Sequence, residues 1–473
     1  MPAARTQPIA LTLAALLTGA GAMASSLTQP QTSDNATEAP PAIAGPAIPE
    51  TAAGAKLRLV LGWLNGQALD DPAEHFSPEF LQAVPPARLE GVRAQLFGDA
   101  QTSLLRIDDV RDEDRLLVTT VALTYADKPN EYLSLLVGVD DAELIQTLLV
   151  QPGIGPIDDL PASWDEFDDR LDALPGVVVG GAFELSQDPD STDVTAVWAR
   201  EPDHALAMGS AFKLWVLCAA AEQIAAGERA WDDEITIRDD HKSLPSGTMQ
   251  TAAEGQTFPL SHVATEMIRI SDNTATDHLM HVIGREHVEA FARATGADDP
   301  RNYPFLTTKE MFQVKLGGDL EARDAFAQAN EAERRAMLAP GGVIEQLTPS
   351  LVLASAWFTP VLIDRVEWFA TPAELAGVMA HLHRLEHGAA GEQVAGCLTA
   401  NPGLPLDQTV WPTIAYKGGS EPGVLNMTWR LHRDDGRIFC LTFGWNDTER
   451  TLEDEKLFVH VFEAAAMLAA WDR

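Results

Sequence analysis

The mostly apolar runs 177–185 and 194–200, with turn-rich 186–193 between them, read as a pair of strands. A second set closes the chain. Residues 413–417, 424–432 and 437–445 read as strands, and Asp435-Gly436 joins the last two in a hairpin. Between the sets the rhythm is helical, and 449–471 forms a final helix with Leu457, Val461, Phe462, Ala465, Met467 and Leu468 on its apolar face. First and last strands with helices inserted between them predict an antiparallel sheet packed on an α-helical lobe over 161–473. Upstream, helical patterns at 56–64 and 78–96 precede alternating runs at 103–110, 115–125 and 131–139. Helices followed by a curved sheet suit a small α+β domain at 54–152, with 153–156 and the acids after it as linker, so the whole chain is of α+β class.

The first residues change the picture of where the protein acts. Arg5, the short apolar stretch 9–22 and Ala22-Met23-Ala24 make 1–24 an export signal with a small-residue cleavage pattern. Residues 25–53 are rich in Pro, Ala, Thr and Ser without any period, as in a flexible tether. The expected location is periplasmic or secreted, with no membrane span once the signal is removed.

The chain has 473 residues and a net charge of -37, which argues against nucleic acid and against an anionic membrane surface as partner. Only three cysteines occur, too few for a disulfide scaffold. Cys218 lies in an apolar helical run, while Cys397 and Cys440 are left open between pairing and free thiols.

The candidate chemistry sits in three short strings, in this order: Ser210-Ala211-Phe212-Lys213, Ser271-Asp272-Asn273 and Lys417-Gly418-Gly419-Ser420. Ser210 falls at a helix start, where the positive end of the helix favours developing negative charge. Lys213 is one turn on, shares that face, and if desolvated is neutral enough to take the serine proton. The Ser271 hydroxyl is placed to shuttle a proton, and Asn273 to bond a substrate amide or hold Lys213. Lys417 follows an apolar strand, and Gly418-Gly419 clears side chains so that a ligand can lie along the strand edge. Each string alone also fits an ordinary role: a helix start with an exposed lysine, a helix cap, a glycine-rich turn.

Taken together the strings resemble the S-x-x-K, S-D-N and K-T-G set of class A β-lactamases and penicillin-binding proteins. That resemblance implies a serine hydrolase acting through an acyl-enzyme, with Ser210 as nucleophile, Lys213 as base, Ser271 as relay and Lys417 orienting the substrate anion. It also implies an oxyanion hole from the N–H groups of Ser210 and Ser420, with Gly419 and Asn273 lining the substrate. Ser246, in His241 to Gln250, falls where the family has an active-site rim; a surface turn is the ordinary alternative. Residues 209–217, 244–247 and 304–308, with the small domain before them, are similar to the Orf12-type two-domain proteins of clavulanic acid gene clusters. In that group an NTF2-like (steroid-isomerase-like) domain precedes the β-lactamase-like one.

Two departures bear on activity. The third string is Lys-Gly-Gly, without the usual hydroxyl, and no E-x-x-L-N loop lies between Ser271 and Lys417. The interval carries instead a charged, helical 302–349. The expectation is therefore a slow enzyme on a small carbonyl substrate, whether β-lactam, ester or cell-wall peptide. The alternatives are a carboxypeptidase of D-Ala-D-Ala type or a degenerate binding protein without turnover. No cofactor is implied. His381, His383 and His387 have the wrong spacing for zinc and read as a solvated helix end, and His278 and His281 as surface or packing residues.

Overall fold

The computed structural model describes residues 46–472, apart from 99, 112–114, 126–130, 153, 154, 156, 158, 244 and 348–356. Residues 1–45, which hold the expected export signal and most of the expected tether, and parts of the expected linker lie outside the described residues. The chain divides into two compact units, one ending at Asp158 and the other starting at Asp159.

In the first unit the helix Ala52–Leu64 opens with Thr51 capping the Gly54 amide. Its apolar positions Leu57, Val60 and Leu64 pack on Leu117, Val121, Leu135 and Val137 of the sheet. The sheet is an antiparallel meander in simple order: Gln101–Arg111, Leu116–Thr124, Glu131–Val139 and Ile145–Pro152. Two expectations change here. The pattern at 78–96 is two helices, Pro78–Ala83 and Pro86–Leu96, because the residue before Pro85 is pushed out of helical conformation. The fourth strand was not anticipated; its run Leu148-Leu149-Val150 hides the alternation.

The second unit is built on a five-stranded antiparallel sheet. Its order is Thr413–Glu421, Val424–His432, Ile438–Asn446, Val177–Leu185, Val194–Arg200. The central strands are covered on both faces. Leu425, Met427, Trp429 and Leu431 pack against the helices Trp164–Leu171 and Asp454–Ala470. Alternate residues such as Thr428 and Arg430 turn to the helical lobe. The lobe centres on the helix Lys213–Ala225, apolar on every side and wholly buried from Lys213 to Ala221. Around it lie Leu260–Arg269, Asn273–Ile283, Arg285–Ala294 and Pro372–Glu386. The insertion adds Thr308–Leu316, Leu320–Gln328 and Glu331–Leu338. Cys218, Cys397 and Cys440 are all free and buried. Among the described residues no helix is long and apolar enough to cross a membrane.

Candidate active site

Ser210 is delivered by a short, tightly tied lead-in. Leu206–Ala207 pairs with Phe369–Ala370, the Asn446 side chain bonds both the N–H and the carbonyl of Ala207 (2.9 and 3.1 Å), and Met208 N donates to Trp368 O. Gly209 then adopts φ +49°, a region glycine enters freely, and starts the 3-10 turn Gly209–Phe212 that feeds the buried helix. Below the turn, Phe212 stacks on Trp368 with ring centroids 3.8 Å apart. Ser210 is thus half-buried at the positive end of a rigid helix.

The strand Thr413–Glu421 runs past this turn at contact distance. A Cβ on Gly419 would lie 2.2 Å from Ser210 N, and one on Gly209 would lie 3.0 Å from Ser420 N. The Gly418-Gly419-Ser420 stretch, read above as the end of a strand or a turn, is paired strand through to Glu421.

Ser271 lies between the two lysines. Its φ of +58° is unusual for serine, and its carbonyl accepts from both Lys213 Nζ and Ser246 Oγ, each at 2.7 Å. Its hydroxyl is 3.1 Å from Lys213 Nζ and 3.1 Å from Lys417 Nζ. Lys213 also donates to Asn273 Oδ1 at 2.8 Å. Lys213 Nζ thus has three oxygen partners, Ser271 O, Ser271 Oγ and Asn273 Oδ1. Burial, and then the Lys417 charge, hold the Lys213 amine well below its ordinary pKa, with Asp277 and Asp272 opposing. Burial lowers Lys417 to about 7. Its ammonium also bonds the Gly418 carbonyl.

The structure thus brings Lys213, Ser271, Asn273 and Lys417 into one hydrogen-bonded group, and sets Ser210, Gly419 and Ser420 together beside it. Ser246 bonds the Ser271 backbone through its hydroxyl.

Residues 189–345 match the family described as Beta-lactamase enzyme family. This β-lactamase-like segment contains the Ser210 and Ser271 strings and ends before Lys417. No curated protein matches the chain. Among solved structures, the chain is similar to a β-lactamase from Sphaerobacter thermophilus, with 20% identity, TM-score 0.44, and coverage of 65% of this chain and 98% of that one. A protein described as PBP-A gives 15% identity, TM-score 0.43, and coverage of 66% and 99%. A β-lactamase from Chitinophaga pinensis gives 17% identity, TM-score 0.44, and coverage of 65% and 98%.

Several supports of this site were not singled out in the sequence. Asp272 is buried and accepts from Thr248 N, Met249 N and Ala275 N, so it caps the helix Asn273–Ile283 and fixes the Ser246 loop. A side chain at Gly247 would meet that carboxylate. Asp277, four residues after Asn273 and so on the same helix face, accepts from Thr308 N, Thr308 Oγ1 and Lys309 N, and burial raises it to about 7 against those bonds. Its spacing was the available signal.

The histidines also need correction. His383 is buried rather than solvated, beside His432 and the Arg430–Glu386 ion pair. His278 is a packing residue, with Nδ1 on Thr274 O and Nε2 accepting from Arg238 N. No metal-binding group of His, Cys, Asp and Glu occurs among the described residues. A cavity of about 420 Å³ lies against Leu206 and Ala207, but none of the predicted site residues lines it.

Proposed function

We propose that the protein is an exported serine hydrolase that opens β-lactams, or cleaves related amides and esters, through an acyl-enzyme on Ser210. The observation that carries this reading is the Ser271 hydroxyl, 3.1 Å from both Lys213 Nζ and Lys417 Nζ. The Ser210 oxygen adds to the substrate carbonyl as its proton passes to neutral Lys213. The C–N bond then breaks, and the proton moves from Lys213 through Ser271 to the leaving nitrogen. The N–H groups of Ser210 and Ser420 bind the oxyanion, and the Lys417 ammonium holds the substrate carboxylate. Asn273 and Gly419 line the acyl group, while Ser246 holds Ser271 from the rim. Turnover is slow, because no glutamate occupies an E-x-x-L-N loop to activate the deacylating water. Residues 1–24 direct export to the periplasm or beyond. The small first domain is NTF2-like, as in the Orf12-type proteins.

The test is intact mass after mixing with benzylpenicillin. The wild type gains the whole mass of the drug, since ring opening releases no fragment, and Ser210→Ala gains none. Equal labelling of both proteins would remove Ser210 from the mechanism.

The pH dependence tests the role of Lys417. Its folded pKa of about 7 lies below the ordinary lysine value, so in the free protein the ammonium is present below about pH 7 and disappears as pH rises through it. Acylation by benzylpenicillin, an anion, is expected to fall above that pH relative to acylation by neutral p-nitrophenyl acetate. Lys213 titration affects both substrates, so the ratio of the two rate constants isolates Lys417. A ratio independent of pH would mean that Lys417 does not read the substrate charge.

A further inference from the structure

Directly after Ser420, the strand carries Glu421 on the same face as Lys417 and Gly419. Its Oε1 bonds Lys315 Nζ at 2.5 Å, and the same ammonium bonds Glu367 Oε1 at 2.7 Å. The side chains of Lys315 and Glu367 are wholly buried, and that of Glu421 is 5% exposed. The three groups come from three separate places: the helix Thr308–Leu316, the residue before Trp368, and the end of the strand that faces Ser210. Trp368 stacks on Phe212 and accepts from Met208 N through its carbonyl, so the triad adjoins both supports of the Ser210 turn.

Two carboxylates against one ammonium would leave a net charge in the interior, which is costly. The group becomes neutral when one carboxyl keeps its proton. Glu421 fits that part, because one of its oxygens is buried without a hydrogen-bond partner. Burial, and then the charge of Glu367, raise its pKa well above the ordinary carboxyl range. Burial works against the Lys315 charge, yet Glu367 and Glu421 still raise its pKa.

We infer that the Glu421–Lys315–Glu367 triad is a positioning device for acyl transfer: it fixes the Ser420 end of the strand against the Ser210 turn, with Glu421 serving as a neutral acid. This rests on the acyl-enzyme reading of Ser210. Glu421 does not itself touch substrate; it acts through the Ser420 N–H.

The test measures the acylation rate constant and the noncovalent binding constant for benzylpenicillin separately, alongside thermal unfolding. Glu421→Gln reproduces a neutral acid in shape and is expected to acylate within about threefold of wild type, a margin set by the conserved packing. Glu421→Ala and Lys315→Met free the strand end, and acylation should slow by about 100-fold, the scale of a misplaced catalytic group, with binding little changed. If Lys315→Met fails to fold, Glu421→Ala decides. Folded Glu421→Ala that reacts at the wild-type rate, even with a lower melting point, would make the triad purely structural and overturn the inference. A glutamine variant as slow as the alanine one would also overturn it. A wild type that shows no acylation would instead remove the Ser210 reading, and the inference with it.

Discussion

Lys213→Met protein is expected to acylate about 10²- to 10⁴-fold more slowly than wild type, the range for losing a positioned general base. Lys213 is the group whose amine reaches Ser271 O, Ser271 Oγ and Asn273 Oδ1 while sharing a helix face with Ser210. Methionine keeps the volume and drops the amine. Stability should move little, because the relief from burying an amine offsets the lysine hydrogen bonds lost at Asn273 Oδ1 and at Ser271 O, which keeps Ser246 Oγ as a donor. The same substitution has a signature in stability against pH. The wild-type Lys213 pKa is depressed in the folded state, so between that value and the ordinary lysine range the unfolded chain binds more protons. Wild-type stability therefore rises with pH across this window, and the variant should rise less steeply. Stopped-flow acylation and denaturant titrations at several pH values check both parts. Acylation near the wild-type rate would require another base.

Gly419→Ala carries the second large effect. The added methyl carbon would sit 2.2 Å from Ser210 N and 2.3 Å from Met208 O, both backbone atoms that cannot swing aside. The strand and the turn must separate, which moves the two proposed oxyanion donors relative to each other. Acylation is expected to fall about 100-fold, and overpacking should cost about 1–3 kcal/mol in denaturant unfolding. A variant that keeps both rate and stability would show that the strand does not press on the Ser210 turn.

The parts of this site that were legible in the sequence are those that chemistry writes as local strings. Ser210 with Lys213, Ser271 with Asn273, and Lys417 each announce themselves within a few residues, and the strands 177–185, 194–200 and 424–432 follow from short apolar runs bounded by turns. Gly418-Gly419 misled, because glycine usually ends a strand, whereas here it lets a neighbouring turn approach. His383 misled because its helix end is covered by the strand Val424–His432 through Arg430 and His432. Pairings between distant segments left no local trace. Glu421 and Lys315 are 106 residues apart, so no local pattern links them. Asp272 was read only as part of its triplet, although it organises the loop that holds Ser246.

The strand Val177–Leu185 pairs with Ile438–Asn446, and its Glu184 meets Arg437 across 253 residues of chain. The first strand of this sheet thus waits for nearly the last before it can be completed. Lys417 and the Ser420 N–H arrive with that closing segment, so a chain still emerging from synthesis holds Ser210 without them beside it. On the acyl-enzyme reading proposed above, Ser210 becomes reactive only when the domain is finished. Such long-range closure is slow in folding terms, and it ties any reactivity of Ser210 to the completed fold.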